Sequence, residues 1–327
     1  MKLTLIIPTY RRPRDLARCL EAIKAQTRQV DELLIIVRDT DDLTQTFLQI
    51  FNPEFLSLKI LSVTTPGLIA ALNVGLDAAS GDIVTFTDDD AVPHPDWLEL
   101  IEAHFVVDDT LVGLGGRDWV YLGNQLHSGQ LTKKVGQVQW FGRVIGNHHL
   151  GTGWLQKVDV IKGVNMSFRR SAIAQLRFDS RLRGSGAQVH GELAFCLALK
   201  RKGAKIIYDP VVAVNHYPAQ RFDEDQRIQF NKTTYLNRVH NETLSLLEFL
   251  PPLRRIAFIV WAVLIGTRQA PGFLQWLRLF PQQRSLATQK WFASIKGRYQ
   301  GWLTWRESLQ QPLILETCLE KRSDLTL

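Results

Sequence analysis

Ser80-Gly81-Asp82-Ile83-Val84-Thr85-Phe86-Thr87-Asp88-Asp89-Asp90 decides the fold, because an apolar run of strand length opens after a glycine and closes on three consecutive carboxylates. Ile83 to Phe86, bounded by Gly81 and by a polar cluster, has the form of a buried strand. Ligands of open α/β sheets bind just beyond the carboxyl ends of such strands. Adjacent carboxylates repel one another, so keeping them together calls for solvent or a cation. Alternate residues of an extended chain point the same way, which lets Asp88 and Asp90 face one ion from one side. Hard oxygen ligands of this kind suit Mg2+ or Mn2+ bound together with phosphates. Taken alone, the triplet also reads as a solvated Asp-rich turn.

Upstream, Leu3 to Ile7 is expected as a first strand that leaves through Pro8-Thr9-Tyr10. Asp15 to Ala25 reads as a helix with Leu16, Leu20 and Ile23 on one face. Leu33 to Val37 and Leu58 to Val63 read as further strands, separated by a helix over Thr44 to Phe51. A helix over Ile69 to Ala79 leads into Ile83 to Phe86. This alternation argues for parallel βαβ units in one sheet, with Pro8, Asp39 and Asp88 on the same edge.

The 327 residues, 45% apolar and 22% charged, can bury a sizeable core and are not a disordered class. A net charge of +7 is compatible with phosphate-bearing or anionic-lipid partners. The basic residues are scattered and form no recognised motif, so nucleic acid is not an expected partner. Cys19, Cys196 and Cys318 have no metal-ligand spacing and read as buried small residues in a reducing compartment. No secretory pattern opens the sequence and no run reaches transmembrane length, which points to the cytoplasm, with the cytoplasmic face of the membrane left open.

A set of short segments, in order and at compatible spacing, carries a resemblance from the N-terminus to about Pro218. They are Ile6-Ile7-Pro8-Thr9-Tyr10, then Asp39, then Ala70-Ala71-Leu72-Asn73-Val74-Gly75-Leu76, and then Gly81-Asp82-Ile83-Val84 leading to Asp88-Asp89-Asp90. Further on come Gly163-Val164-Asn165-Met166-Ser167-Phe168-Arg169-Arg170, His190-Gly191-Glu192-Leu193, and the strand Ile206 to Val214 ending at His216. Together they resemble the family 2 glycosyltransferases with the GT-A fold, of the kind that builds bacterial polysaccharides and cell-surface glycans.

The resemblance implies a Rossmann-like nucleotide-diphospho-sugar transferase: a mixed α/β sheet with flanking helices over residues 1–220, followed by a helical C-terminal extension over 221–327. It implies a metal-dependent, inverting transfer of a hexose or deoxyhexose from a nucleotide-diphosphate sugar to a hydroxyl of a glycan or lipid-linked acceptor. Pro8, Thr9, Tyr10, Asp39, Asn73, Asp88, Asp89 and Asn165 would bind the nucleotide sugar. Asp88, Asp90 and His216 would hold Mn2+ or Mg2+, although a single His after a strand also serves structure. Counting back from Gly203 places the catalytic carboxylate on Glu192, where the family has Asp. Glu192 would act as the general base that a neutral hydroxyl needs, and the bland alternative is a first-turn acid favoured by the helix dipole. Two further departures are Arg11 in place of the Asn that follows Pro-x-Tyr, and Arg38 in place of the acid preceding Asp39.

Tyr121 to Gln156 is polar, weakly periodic and rich in Gly and His, the composition of a lid or acceptor loop. Its Trp140, Phe141 and Trp154 either stack on sugar rings or anchor the loop. Helical patterns over Asp225 to Leu250 break at Pro251-Pro252. The apolar run Ile256 to Ile265 would then span about 15 Å as a helix, half of a bilayer core. Downstream Trp and Arg residues fit either a peripheral contact with the inner membrane or packing on the rest of the protein. Two other functions compete. A catalytically silent sugar-nucleotide binding protein is disfavoured by the retained Asp88, Asp90 and Glu192. A nucleotidyltransferase would carry a Gly-rich basic loop after strand one, and Pro8-Thr9-Tyr10-Arg11-Arg12 contains no Gly.

Overall fold

The computed structural model describes residues 1–127, 129–223 and 230–310. Cys318 and the first residues of the helix expected from Asp225 lie outside them. Strands β1 (Leu3–Thr9), β2 (Glu32–Arg38), β3 (Leu58–Val63) and β4 (Ile83–Phe86) alternate with helices α1 (Pro13–Lys24), α2 (Asp42–Ile50) and α3 (Leu68–Ala78). The four strands are parallel, in the order β3-β2-β1-β4. Every residue of β1 and β4 is buried, because helices cover both faces of the sheet. Leu3, Leu5 and Ile7 share a core with Leu16, Leu20 and Ile23 of α1, whereas Ile6 packs with Ile69, Leu72 and Leu76 of α3. Gly75 allows that second contact, since a Cβ there would sit 2.6 Å from the Ile6 Cγ2 methyl.

Beyond β4 the sheet stops being parallel. β5 (Ala91–Pro93), α4 (Trp97–Val107), β6 (Leu111–Leu122), β7 (Gln125–Leu126), β8 (Gln137–Val138), β9 (Val144–Ile145) and β10 (Gln156–Lys157) precede β11 (Met166–Arg169). β11 inserts between β4 and β6, antiparallel to both. After α5 (Arg170–Ile173) and α6 (Gly191–Arg201), β12 (Lys205–His216) runs parallel to β6 and antiparallel to β5. The sheet order is β10-β12-β6-β11-β4-β1-β2-β3. Mixed strand directions thus replace the all-parallel arrangement that alternation alone would extend.

The segment between β6 and β11 is more anchored than its composition suggests. β8 and β9 form a small hairpin, Phe141 lies 5.1 Å from Trp261, and Arg254 donates to the carbonyls of Gln139 and Trp140 at 3.0 and 2.8 Å. Phe141 is therefore an anchor, while Trp140 and Trp154 are exposed. α7 (Lys232–Phe249), capped by the Asn231 side chain, is followed by α8 (Pro252–Leu264), α9 (Phe273–Gln283) and α10 (Ser285–Gln310). Leu246, Leu247, Leu250, Phe258 and Ala262 of these helices form one core with Val138, Val160, Leu193 and Leu197. Among the described residues no helix is long and apolar enough to cross a membrane.

Candidate active site

Parallel pairing puts the carboxyl ends of β1, β2 and β4 on one edge, and a cavity of about 360 Å³ opens there. Pro8, Thr9, Tyr10, Arg12, Arg38, Asp88 and Asp90 line it from the sheet, Gly67 and Leu68 from the start of α3, and Ser185 to Ala187 from the loop before α6. This is the place the strand-end argument indicates for a ligand.

Behind the cavity runs a row of alternating charge. Arg12 reaches Asp89 Oδ1 at 3.0 Å and Asp90 Oδ2 at 3.3 Å. Asp90 Oδ2 also accepts the Ala219 N–H at 2.9 Å, and its Oδ1 lies 3.4 Å from His216 Nε2. His216 Nδ1 is 3.6 Å from Asp118 Oδ2, and Asp118 is ion-paired to Lys162. Burial pushes Asp90 up, but the His216 contact and the Arg12 charge outweigh it and hold the carboxyl below its ordinary range. Burial likewise pulls His216 down, yet Asp118 and Asp90 raise it to about 9. Asp118, pushed up by burial, is held at about 2 by Lys162 and His216. Asp88 and Asp89 are raised, chiefly by burial.

One oxygen each from Asp88 and Asp90 and one ring nitrogen of His216 lie within 4.8 Å of one another. Asp90 Oδ1 and both His216 nitrogens are buried and sit at ion-pair distance, with no hydrogen-bond partner among the described residues. Two carboxylates and an imidazole, once the imidazole gives up the proton that Asp90 and Asp118 favour, fit a divalent cation, Mn2+ better than Mg2+ because of the nitrogen.

Glu192 does not line this first cavity. It stands in the first turn of α6, half-buried, in the wall of a second cavity of about 770 Å³. His148, Lys162, His190, Arg238, Glu242 and residues 265–270 share that wall. Burial raises the Glu192 carboxyl, against the pull of its own backbone N–H and of Lys162, and the charge of Asp88 adds to the rise. His190 caps α6 only through its backbone, at φ 78°, and burial lowers its imidazole to about 4. The segment 185–192, the loop before α6 with the first turn of that helix, thus borders both cavities, Ser185 to Ala187 on the first and Val189, His190 and Glu192 on the second.

Several expected donor contacts fall elsewhere. Asn73 accepts from the Phe178 N–H and donates to its carbonyl, so both ends of its amide tie α3 to the chain after α5. Asn165 is buried, accepts from Trp97 Nε1 at 3.0 Å, and donates to the Val212 and Arg117 carbonyls. Asp39 is ion-paired to Arg38 at 3.0 Å, and it is Arg38 that lines the first cavity. Asp89 is fully buried beneath the cavity against Arg12. Arg169 donates to the carbonyls of Phe105, Asp108 and Leu111, and Arg170 to that of Gly81, so both are staples. Neither Arg12 nor Lys162 carries a signal in the sequence. Asp118 belongs to Gly115-Gly116-Arg117-Asp118, which follows an apolar run and resembles a segment that lines the acceptor side in the family.

The mixed α/β sheet, with a cavity and an Asp pair at the carboxyl ends of its parallel strands, is a GT-A fold. The chain belongs to glycosyl transferase family 2, whose profile matches residues 4–177. It is 33% identical over 99 residues to the glycosyltransferase AglE of Haloferax volcanii, a match that covers 29% of this chain and 33% of that protein. It is 25% identical over 226 residues to the glucosyl-dolichyl phosphate glucuronosyltransferase of the same organism, covering 66% and 69%. The chain thus spans about a third of one of these relatives and two thirds of the other. In fold it is similar to residues 1–349 of S. aureus TarS in complex with UDP-GlcNAc, with a TM-score of 0.60 at 16% identity, covering 92% of this chain and 81% of that one. GalNAc-T7 with UDP, GalNAc and Mn2+ gives 0.59 at 13% identity, covering 76% and 48%.

Proposed function

We propose that the protein transfers a sugar from a nucleotide-diphosphate donor to an acceptor hydroxyl, with inversion at the anomeric carbon. The segment 185–192 carries this reading, because one short stretch lines the first cavity and delivers Glu192 to the second. The nucleotide diphosphate occupies the first cavity, with Arg12 and Arg38 as cationic walls near the phosphates and Pro8 to Tyr10 along its edge. Asp88, Asp90 and His216 are the residues that would hold Mn2+ or Mg2+ there. Such an ion, when bound, neutralises charge that develops on the departing diphosphate.

The acceptor enters the second cavity. Its hydroxyl oxygen attacks the anomeric carbon from the face opposite the diphosphate, and the C–O bond to the donor phosphate breaks. The hydroxyl proton passes to the Glu192 carboxylate. A single displacement with one carboxylate base inverts the configuration. Lys162 positions rather than reacts: paired with Asp118, it places positive charge between the Asp88 and Glu192 sites. One relative, the glucosyl-dolichyl phosphate glucuronosyltransferase, supports an acceptor in glycan or glycolipid synthesis.

Glu192→Gln tests the reading. Transfer to acceptor should be lost while nucleotide affinity is kept. Full transfer by this variant would move the base elsewhere, and loss of nucleotide affinity together with transfer would place Glu192 in donor binding.

A further inference from the structure

α8 is apolar on two faces: Phe258 and Ala262 are buried in the core, as a surface helix requires, but a second apolar row faces outward. Leu253, Ile256, Val260, Val263 and Leu264 fall at helical spacing on one exposed face, with Leu253 81% and Ile256 63% accessible. Both of its charged residues turn the other way. Arg254 donates to backbone carbonyls of the β8–β9 hairpin, and Arg255 lies 5.0 Å over the Trp305 ring. The Gly272 N–H donates to the Ile265 carbonyl at 3.1 Å, which closes the turn and sets exposed Ile265 beside Phe273 and Leu274 at the start of α9. Leu277 and Phe280 continue the exposed apolar residues along α9. A patch of this extent on two consecutive helices marks an interaction surface.

The charges around the patch say what covers it. Arg268, Arg278 and Arg284 are exposed and have no carboxylate partner among the described residues. A second copy of this chain, seated isologously, would bring these guanidinium groups towards their own counterparts. An anionic bilayer satisfies both features at once, apolar side chains entering the headgroup boundary and arginines meeting phosphates.

We propose that the α8–α9 hairpin is a monotopic contact with an anionic phospholipid surface. The hairpin also forms part of the wall of the second cavity, since Ile265 and Arg268 of its turn and Arg278 of α9 line it together with Glu192. A bilayer seated on the hairpin therefore borders the cavity assigned to the acceptor. On the transfer reading above, the acceptor hydroxyl arrives on a lipid-borne phosphate or diphosphate, whose charge the two arginines receive.

The test is flotation of the full chain with vesicles of phosphatidylcholine containing phosphatidylglycerol, compared with phosphatidylcholine alone. The wild-type protein should float with the anionic vesicles and lose binding as salt is raised. Combined Leu264→Gln, Leu274→Gln and Leu277→Gln should weaken binding at least about tenfold. Arg268→Gln with Arg278→Gln should weaken it by roughly fivefold for each charge removed. All five side chains are exposed, so each variant should fold, and circular dichroism is the check. Flotation of the variants equal to wild type overturns the proposal. So does folded wild-type protein that stays unbound at both compositions, including the case where sedimentation velocity shows the patch joining two copies. Glu192→Gln should float as wild type does, so the membrane contact and the transfer reading stand or fall separately.

Discussion

At the scale of single residues, the site depends on carboxyls pushed in opposite directions. Asp90 is held ionised by His216 and Arg12, whereas burial holds Glu192 up. A base must be deprotonated, so transfer should fall on the acid side as pH drops through the raised Glu192 value. That limb should lie above the ordinary glutamate range, near 4.3. A pH profile of the transfer rate checks it, and a limb at or below the ordinary range contradicts it. Glu192→Gln should slow transfer by about 10²–10⁴-fold, the usual contribution of a positioned base. Asn165→Ala should instead cost about 2–4 kcal/mol of stability in urea unfolding, because it breaks one accepted and two donated buried bonds, with nucleotide affinity retained. An affinity loss at full stability would return Asn165 to the donor. The sequence could not separate these cases: the Asn amide that would hold a sugar hydroxyl holds a backbone carbonyl equally well. Arg12 was hidden for a different reason, since its partners Asp89 and Asp90 are distant in sequence and only the β1–β4 pairing brings them together.

At the scale of elements, the first four strands could be read to within two residues of their ends, because they are short apolar runs punctuated by Gly, Pro and Asp. The antiparallel insertion of β11 could not. Met166 to Phe168 pair with residues on β4 and β6 that lie far off in sequence, and no local periodicity encodes that register. One polar device pins the parallel half. Glu32, 2% accessible, accepts the Thr4 hydroxyl, the Ser80 N–H and hydroxyl, and Lys59 Nζ, so it joins β1, β2, β3 and the entry to β4. Burial opposes ionisation, but these donors lower the carboxyl from 4.5 to about 2. A depressed carboxylate stabilises fully above pH 4.5 and loses that contribution as pH falls towards 2. Glu32→Gln should lower neutral-pH stability by up to about 3 kcal/mol and flatten the acid limb of a stability profile. An unchanged acid limb would contradict the assignment.

At the scale of the whole molecule, we propose that residues 1–220 form the catalytic unit and 221–327 an extension that completes it. Leu246, Leu247, Phe258 and Ala262 share one core with Val138, Val160, Leu193 and Leu197, and α7 to α9 supply much of the second cavity wall. Truncation after residue 220 should therefore expose apolar surface and abolish cooperative unfolding. A soluble, cooperatively folding fragment would show that the extension is only appended. The helical character of this region was legible from its periodicity and from Pro251-Pro252, while its closure of the Glu192 cavity was not, because the contacts join residues far apart in the chain.

We propose that the strand-end cavity binds a nucleotide diphosphate together with a divalent ion, which Asp88, Asp90 and His216 would hold. Calorimetric titration of the full chain with UDP, GDP and dTDP, each with Mn2+, with Mg2+ and with chelator, alongside Asp90→Ala, tests it most directly. One nucleotide should bind, chelator should weaken the binding, and Asp90→Ala should abolish its dependence on metal. Folded protein that binds none of the three under any condition, or binding indifferent to both chelator and Asp90→Ala, would contradict it.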